Sequence, residues 1–307
     1  MVERPGLSGG GAPSRSRVAA RRLVAAALLV TFFGLALWLG VSALGGGGGD
    51  DVEEAAPPPT TTAPPPEPVL RVIFPEGFTR DQMVTRVGEV RKIARERRKI
   101  TPKLTAKGYR AATEAAEVPR PFRADAQGIE GFLFPATYEF TAKTTAKRLV
   151  ADQLEFFAEN WEKVDMAAAR AKNLTPYDVL IIASMVEKEA SVAKERPLVA
   201  AVIYNRLKIG MSLGIDATIR YGLGVPGTES LRQSHLDSDS PYNTRNRPGL
   251  PPTPIANPGL ASIQAAAKPA NVDYLYFVRK GDSQEHFFTA SESEFYAKQC
   301  EYGFGCG

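Results

Sequence analysis

The chain has 307 residues, 44% of them apolar, enough for a packed core and one or two domains beside accessory segments. Its formal net charge is +4, but much of the basic excess falls in residues 1–22 and 91–110. No arginine-rich stripe with interleaved aromatics runs through the remainder, which argues against nucleic-acid binding. The two cysteines, Cys300 and Cys306, are too few for a metal framework.

Residues 23–44 form a run without charge, long enough to cross a bilayer as a helix. Arg15, Arg17, Arg21 and Arg22 precede it, which places residues 1–22 in the cytoplasm and everything after residue 44 outside. A cleaved signal peptide is the rival; the run is longer than a signal core, and Ser42-Ala43-Leu44 is a weak cleavage pattern, so an uncleaved single-pass anchor is the expectation. Residues 45–68, rich in glycine and then proline, read as a tether without a core. From Val69 the composition becomes globular.

A strand is expected over Val69–Phe74, followed by a turn at Pro75-Glu76-Gly77. Thr79 and Gln82 have capping-box spacing ahead of a helix whose inner face carries Met83, Val87, Val90 and Ile93. This small module, 69–122, ends where Pro119 and Pro121 interrupt. A second unit, 123–298, begins with an aromatic-rich turn, Ile129 to Tyr138. Residues 141–172 are read as mostly helical, with Val150, Leu154 and Phe157 on one face. A helix starting after Thr175 and Pro176 follows, then another over 197–207 ended by Gly210. After a proline- and glycine-rich loop (241–259) come a short helix over 262–267 and strands at 273–278 and 285–289. Residues 299–307 form a tail. The body is expected to be α+β.

In the helix after Thr175, a 100° period puts Val179, Ile182, Val186, Glu189 and Ala193 on one side and Ser184, Lys188 and Ser191 on the other. Glu189 then lies within the apolar stripe, where desolvation would let it keep a proton near neutral pH and donate it as a general acid. The alternative is a core-edge carboxylate bonded to an amide or arginine. Glu187, two residues away, does not face Glu189 and reads as half of an ion pair. Asn205, among Val202, Ile203 and Leu207, needs partners, either a sugar group or a neighbouring helix. Asp216 reads as the cap of a short helix ending at Gly222. The stiff loop carrying Tyr242, Asn243 and Thr244 suits carbohydrate binding or a purely structural role. Neither His235 nor His286 has metal-ligand spacing around it.

Seven ordered blocks then resemble one family: Glu130-Gly131-Phe132-Leu133-Phe134-Pro135-Ala136-Thr137-Tyr138, Ala183-Ser184-Met185-Val186-Glu187-Lys188-Glu189-Ala190, Val202-Ile203-Tyr204-Asn205-Arg206-Leu207, Ser240-Pro241-Tyr242-Asn243-Thr244, Gly249-Leu250-Pro251-Pro252, Asn257-Pro258-Gly259 and Tyr274-Leu275-Tyr276-Phe277-Val278. Together they look like the YceG-like family, the MltG-type endolytic murein transglycosylases of bacteria, over about residues 70–297. The resemblance implies a fold with an N-terminal transmembrane helix, a small LysM-like module over 69–122 and a mixed catalytic domain. It implies a lyase that cuts nascent peptidoglycan strands between N-acetylmuramic acid and N-acetylglucosamine, leaves 1,6-anhydro ends and ends elongation. By the same resemblance Glu189 is the catalytic carboxyl with Glu187 as the alternate, and Tyr204, Asn205, Tyr242, Asn243 and Thr244 hold the sugar. No cofactor or metal is implied. The implied partners are glycan strands, a membrane through the anchor, and peptidoglycan synthases. Rival readings are a hydrolytic muramidase, with Asp216 or Glu187 as base, and a non-catalytic wall-binding scaffold. The chain departs from the family pattern at Leu213-Gly214-Ile215, where a glutamine is usual, at Arg245 in place of tyrosine, and at Thr253 in place of glycine. The two cysteines, outside the membrane, are placed to pair or to remain an unstructured tail.

Overall fold

In the computed structural model, residues 66–305 are described. The expected anchor, most of the tether and Cys306 lie outside them. Cys300 is not free; its pairing with Cys306, one of the two readings above, involves a residue outside the described part.

Strand β1 (Leu70–Ile73) alternates Leu70 and Val72 inward with Arg71 and Ile73 outward. Its partner is β2 (Thr137–Phe140), antiparallel, with Leu70 opposite Phe140 and Val72 opposite Tyr138. The pairing thus crosses the boundary expected near residue 122. Between the two strands run α1 (Arg80–Arg98) and α2 (Ala106–Glu114). The Thr79 hydroxyl accepts from Gln82 N and the Gln82 side chain accepts from Thr79 N, so the expected capping box forms. Met83 and Val87 are buried as expected, whereas Ile93 is 53% exposed. The buried face of α1 runs instead through Met83, Val87 and Ala94, and Ile93 lies beside it.

The segment before β2 is held by ring packing. Phe122 meets Phe132, Phe157 and Trp161 edge to face, at 5.0 Å from Phe132 and 4.8 Å from Trp161, and Phe157 stacks on Trp161. Phe157 and Trp161 come from α3 (Ala146–Trp161), which is capped by Thr145 and followed by the short α4 (Ala167–Arg170). This cluster fixes the aromatic turn that carries Glu130.

The central element is α5 (Pro176–Glu189). It packs against α6 (Arg196–Lys208) and α9 (Leu260–Ala267). Between α6 and α9 lie α7 (Asp216–Leu223), the single-turn α8 (Gln233–Leu236) and the proline-rich loop. The chain closes with an antiparallel pair, β3 (Tyr276–Arg279) and β4 (His286–Thr289), and α10 (Glu292–Glu301). The fold is α+β. Among the described residues, no helix is long and apolar enough to cross a membrane.

Candidate active site

Helix α5 starts as expected. Thr175 and Asp178 form a capping box, and Pro176 occupies the first turn. The expected one-sided stripe is not what forms. Every residue from Val179 to Val186 is buried, Ser184 included. Because neighbours cover the helix all round, Ser184 finds internal partners: its Oγ donates to Ile181 O at 2.7 Å and accepts from Ile255 N at 3.0 Å. The helix also stops at Glu189, so Ala193 belongs to a separate turn (Ala193–Glu195).

Glu189 is thus the last residue of a buried helix. It is half-buried, and among the described residues no donor lies within hydrogen-bonding distance of its carboxyl. Nor is the carboxyl sealed: Ser238 Oγ is the one fully buried unpartnered side-chain polar atom described, so the unpartnered Glu189 oxygens reach the surface. Burial pushes its pKa up to about 7, the negative charge of Asp216 adds to the rise, and Lys188 opposes it.

Glu187 has a different occupation. It accepts a hydrogen bond from Gly259 N at 3.0 Å, at the start of α9. Glu76 lies beside it, its pKa raised by burial and then by the charge of Glu187. Lys188 Nζ donates to Gly77 O at 3.3 Å. The turn after β1 is therefore docked on the last turn of α5.

A cavity of about 670 Å³ opens next to this point. Lys188 and Ala217, neighbours in sequence of Glu189 and Asp216, line it, and Glu189 itself is not among its lining residues. Tyr221 and Tyr242 form an aromatic wall, edge to face at 5.2 Å, and Tyr242 Oη and Thr253 Oγ1 share a hydrogen bond at 2.8 Å. The opposite wall comes from the start of α1, with Arg80, Asp81 and Gln82.

At the seam between these walls sits Glu130. Its carboxylate accepts from Arg80 N at 3.0 Å, from Asn257 Nδ2 at 2.6 Å and from Tyr221 Oη at 3.2 Å. Burial pushes its pKa up to about 7 even though these three donors pull it down. Asn257, fully buried, also donates to Phe78 O and accepts from Gly131 N and Leu133 N. From sequence, Glu130 enters only as part of a block that resembles the family. The signal was there: a lone carboxylate flanked by Ile129 and Phe132-Leu133-Phe134, residues that must be buried and so force Glu130 to find donors.

The YceG-like family model matches residues 60–301. The chain belongs to the YceG-like family. It is 36% identical over 159 residues to an endolytic murein transglycosylase of Bacillus subtilis, covering 52% of this chain and 44% of that one. The endolytic murein transglycosylase of Streptococcus pneumoniae is 33% identical over 232 residues, covering 69% and 41%. The chain thus spans less than half the length of these relatives. A 2.6 Å crystal structure of a yceG-like protein from Listeria monocytogenes superposes with a TM-score of 0.62 at 29% identity, over 73% of this chain and 74% of that one.

In this YceG-like chain the residues expected to hold sugar separate into two groups. Tyr242 lines the cavity. The other four bond to the protein itself. Tyr204 Oη donates to Ala266 O at 2.6 Å. Asn205 Nδ2 donates to Val272 O and Tyr274 O, which ties α6 to the segment entering β3. Asn243, fully buried, donates to Leu236 O and Ser238 O and accepts from Arg245 N. The Thr244 hydroxyl is buried against Ile215 N and Thr218 Oγ1. These side chains shape the loops around the cavity and are not among its lining residues.

Asp216 is not the expected cap. It is the first residue of α7, Ile215 holds the cap position, and the Asp216 carboxylate pairs with Arg245 at 2.7–2.8 Å. Helix α7 also runs past Gly222 to Gly224, which closes it at φ 66°. Gly222 serves another need: a Cβ there would stand 2.5 Å from Tyr242 Cβ. Two departures from the family pattern are therefore occupied, Arg245 by its pair with Asp216 and Thr253 by its bond to Tyr242. His235 is half-buried, its Nδ1 accepting from Arg232 N. His286 lies in β4 against the buried Glu195, at 2.8 Å.

Proposed function

We propose that the chain is an endolytic peptidoglycan lytic transglycosylase, a carbon–oxygen lyase, with Glu189 as its proton-transfer group. The observation that carries the reading is an unpartnered, desolvated carboxyl next in sequence to Lys188, which lines a cavity with an aromatic wall. A carboxyl pushed to about 7 holds a proton over much of the neutral range and can release it to a leaving oxygen. Glu189 protonates the bridge oxygen as the muramyl C1–O bond breaks. The resulting carboxylate takes the proton from the muramyl 6-hydroxyl as that oxygen bonds to C1, closing the 1,6-anhydro ring and restoring the acid.

The carboxyls around Glu189 favour this scheme over hydrolysis, which usually requires a second carboxylate to activate water or attack the sugar. Glu187 is held by Gly259 N, Asp216 by Arg245, and Glu130 by three donors. An internal nucleophile needs none of them. Tyr242 supplies an apolar ring against a pyranose, and Tyr204, Asn205, Asn243 and Thr244 fix the loops that place it.

In the same reading, residues 23–44 anchor the chain in the plasma membrane with the N-terminus cytoplasmic. Residues 45–68 space the body from that membrane. The β1–α1–α2–β2 order of the N-terminal module supports reading it as a LysM-like unit that grips glycan. Nascent strands lie alongside the membrane within reach of the tether, beside the synthases that make them.

Digestion of purified peptidoglycan strands with the full-length chain tests the proposal. Mass spectrometry should find anhydro-ended fragments, each lighter by one water than a hydrolysis product. Glu189→Gln should lower their formation by about 10²–10⁴-fold, the usual loss when a general acid is removed. Fragments carrying the mass of added water would replace this reading with a muramidase, and strand binding without any product would replace it with a scaffold.

A further inference from the structure

The cavity is assembled from two stretches far apart in sequence: the start of α1 on one side, and α7 with the proline-rich loop on the other. One side chain touches both. Glu130 Oε1 accepts from the first amide of α1, Arg80 N, and from Asn257 Nδ2. Its Oε2 accepts from Tyr221 Oη and shares the Arg80 N–H at 3.2 Å. The Tyr221 ring in turn abuts Tyr242, whose hydroxyl is tied to Thr253. A continuous line of contacts therefore runs from the first turn of α1 through Glu130 to the aromatic wall.

We infer that Glu130 is a positioning residue for the glycan: its carboxylate clamps the start of α1 to Tyr221 and so sets the Tyr221–Tyr242 wall at the spacing that receives a pyranose ring. This rests on the proposed transglycosylase reading and adds to it a second essential carboxyl with a different job. Glu130 acts through Tyr221 and carries no proton to or from the substrate.

The ionised form holds the clamp most tightly. Arg80 N and Asn257 Nδ2 can only donate, and Tyr221 Oη donates to the carboxylate, so all three bonds are charge-assisted. A proton on Oε2 would reverse the Tyr221 bond and reduce the other two to neutral hydrogen bonds, about half as strong, so the clamp loosens. Burial brings that event into the neutral range. The charged and titratable groups that face Glu130 are Arg80 of α1, Tyr221 of α7 and, more distantly, Tyr109 of α2. Asp81, Lys188 and Arg220 stand around the same cavity. Glu189 responds instead to Asp216 and Lys188. The two carboxyls accordingly set opposite limbs of the pH profile. The acid must be protonated, so activity falls as pH rises through about 7. The clamp holds best when ionised, so sugar binding weakens as pH falls below about 7.

The experiment measures kcat and KM from pH 5 to 9 for the full-length wild type, Glu130→Gln and Tyr221→Phe on linear, peptide-free glycan strands. The inference expects KM to rise about tenfold in both variants at pH 7.5, with kcat changed less than about threefold, the pattern of lost binding rather than lost chemistry. In Glu130→Gln the acid limb of kcat/KM should vanish while the alkaline limb stays. An unchanged KM with the acid limb intact overturns it, as does a fall in kcat alone. If Glu130→Gln does not fold, Tyr221→Phe decides, because it removes one hydroxyl and keeps the ring. If the wild type forms no anhydro product, the transglycosylase reading has failed. Calorimetric binding of the same strands then still reads the clamp: affinity about tenfold weaker in both variants supports it, and unchanged affinity rejects it.

Discussion

At the end of α5, Glu189 is desolvated with no donor in reach; at the seam between α1 and α7, Glu130 is desolvated within a ring of three. Both carboxyls arrive at about 7. For Glu189 burial and the charge of Asp216 act in the same direction. For Glu130 burial wins against hydrogen bonds that favour the carboxylate. The same pKa therefore conceals different chemistry. A carboxyl without partners is free to hand its proton on, whereas one held at both oxygens is a structural joint that titrates. Shifted pKa values select candidates, and the partners decide what each can do.

The largest way to break this comparison is at Asn257, which serves only the seam. Asn257→Ala leaves Gly131 N and Leu133 N without their acceptor and removes a donor from Glu130 and Phe78 O. Buried unsatisfied groups cost about 1–3 kcal/mol each, so denaturant unfolding should show a loss of roughly 3 kcal/mol or more. Gly259→Ala comes next and strikes the Glu187 side. A Cβ there overlaps the Glu76 carboxyl, and displacement of that turn should cost about 1–3 kcal/mol, read as a lowered Tm.

Glu189→Gln should have the opposite sign. The folded pKa lies above the ordinary value of 4.5, so the stability tied to the protonated carboxyl is complete below about 4.5 and is lost as pH rises through about 7. At pH 8 the glutamine variant should therefore be more stable than the wild type, by on the order of 1 kcal/mol, while at pH 4.5 the two should unfold together. Equal stability at both pH values would mean that Glu189 is not desolvated. The smallest effect belongs to Arg245→Ala. The Asp216–Arg245 pair is 45% and 43% exposed, so stability should move by less than about 1 kcal/mol. The alkaline limb of activity should still shift upward, because Asp216 would act on Glu189 without its counter-ion.

Local signals were read well from the sequence. Thr79 with Gln82, and Thr175 with Asp178, announce helix starts that form as expected, because a cap depends on residues three apart. The α+β class followed from the same local periods. What the sequence could not carry was the packing around α5. A period of 3.6 presumes one wet face, and α5 has none from Val179 to Val186, so the period sets Ser184 opposite the apolar side although Ile255 N awaits it. The apolar-stripe argument chose Glu189 through a geometry that does not exist; the carboxyl is desolvated because the helix ends there under its neighbours. Asn205, Asn243 and Thr244 look like sugar ligands in sequence because buried amides and hydroxyls need partners. Their partners are carbonyls, amides and a hydroxyl up to 69 residues away. Glu130 was overlooked for the mirror reason: its donors come from residues 80, 221 and 257, and no local pattern unites them.

The pairing of Leu70–Ile73 with Thr137–Phe140 bears on how such a protein can be cut and recombined. An N-terminal piece ending at residue 122 would carry one strand without its mate, and a piece beginning at 123 would keep the mate and expose its unpaired edge. Exchanging this N-terminal portion between related chains, in the laboratory or by gene fusion, would need a crossover beyond residue 140, and the transplanted piece would take Glu130 along with it.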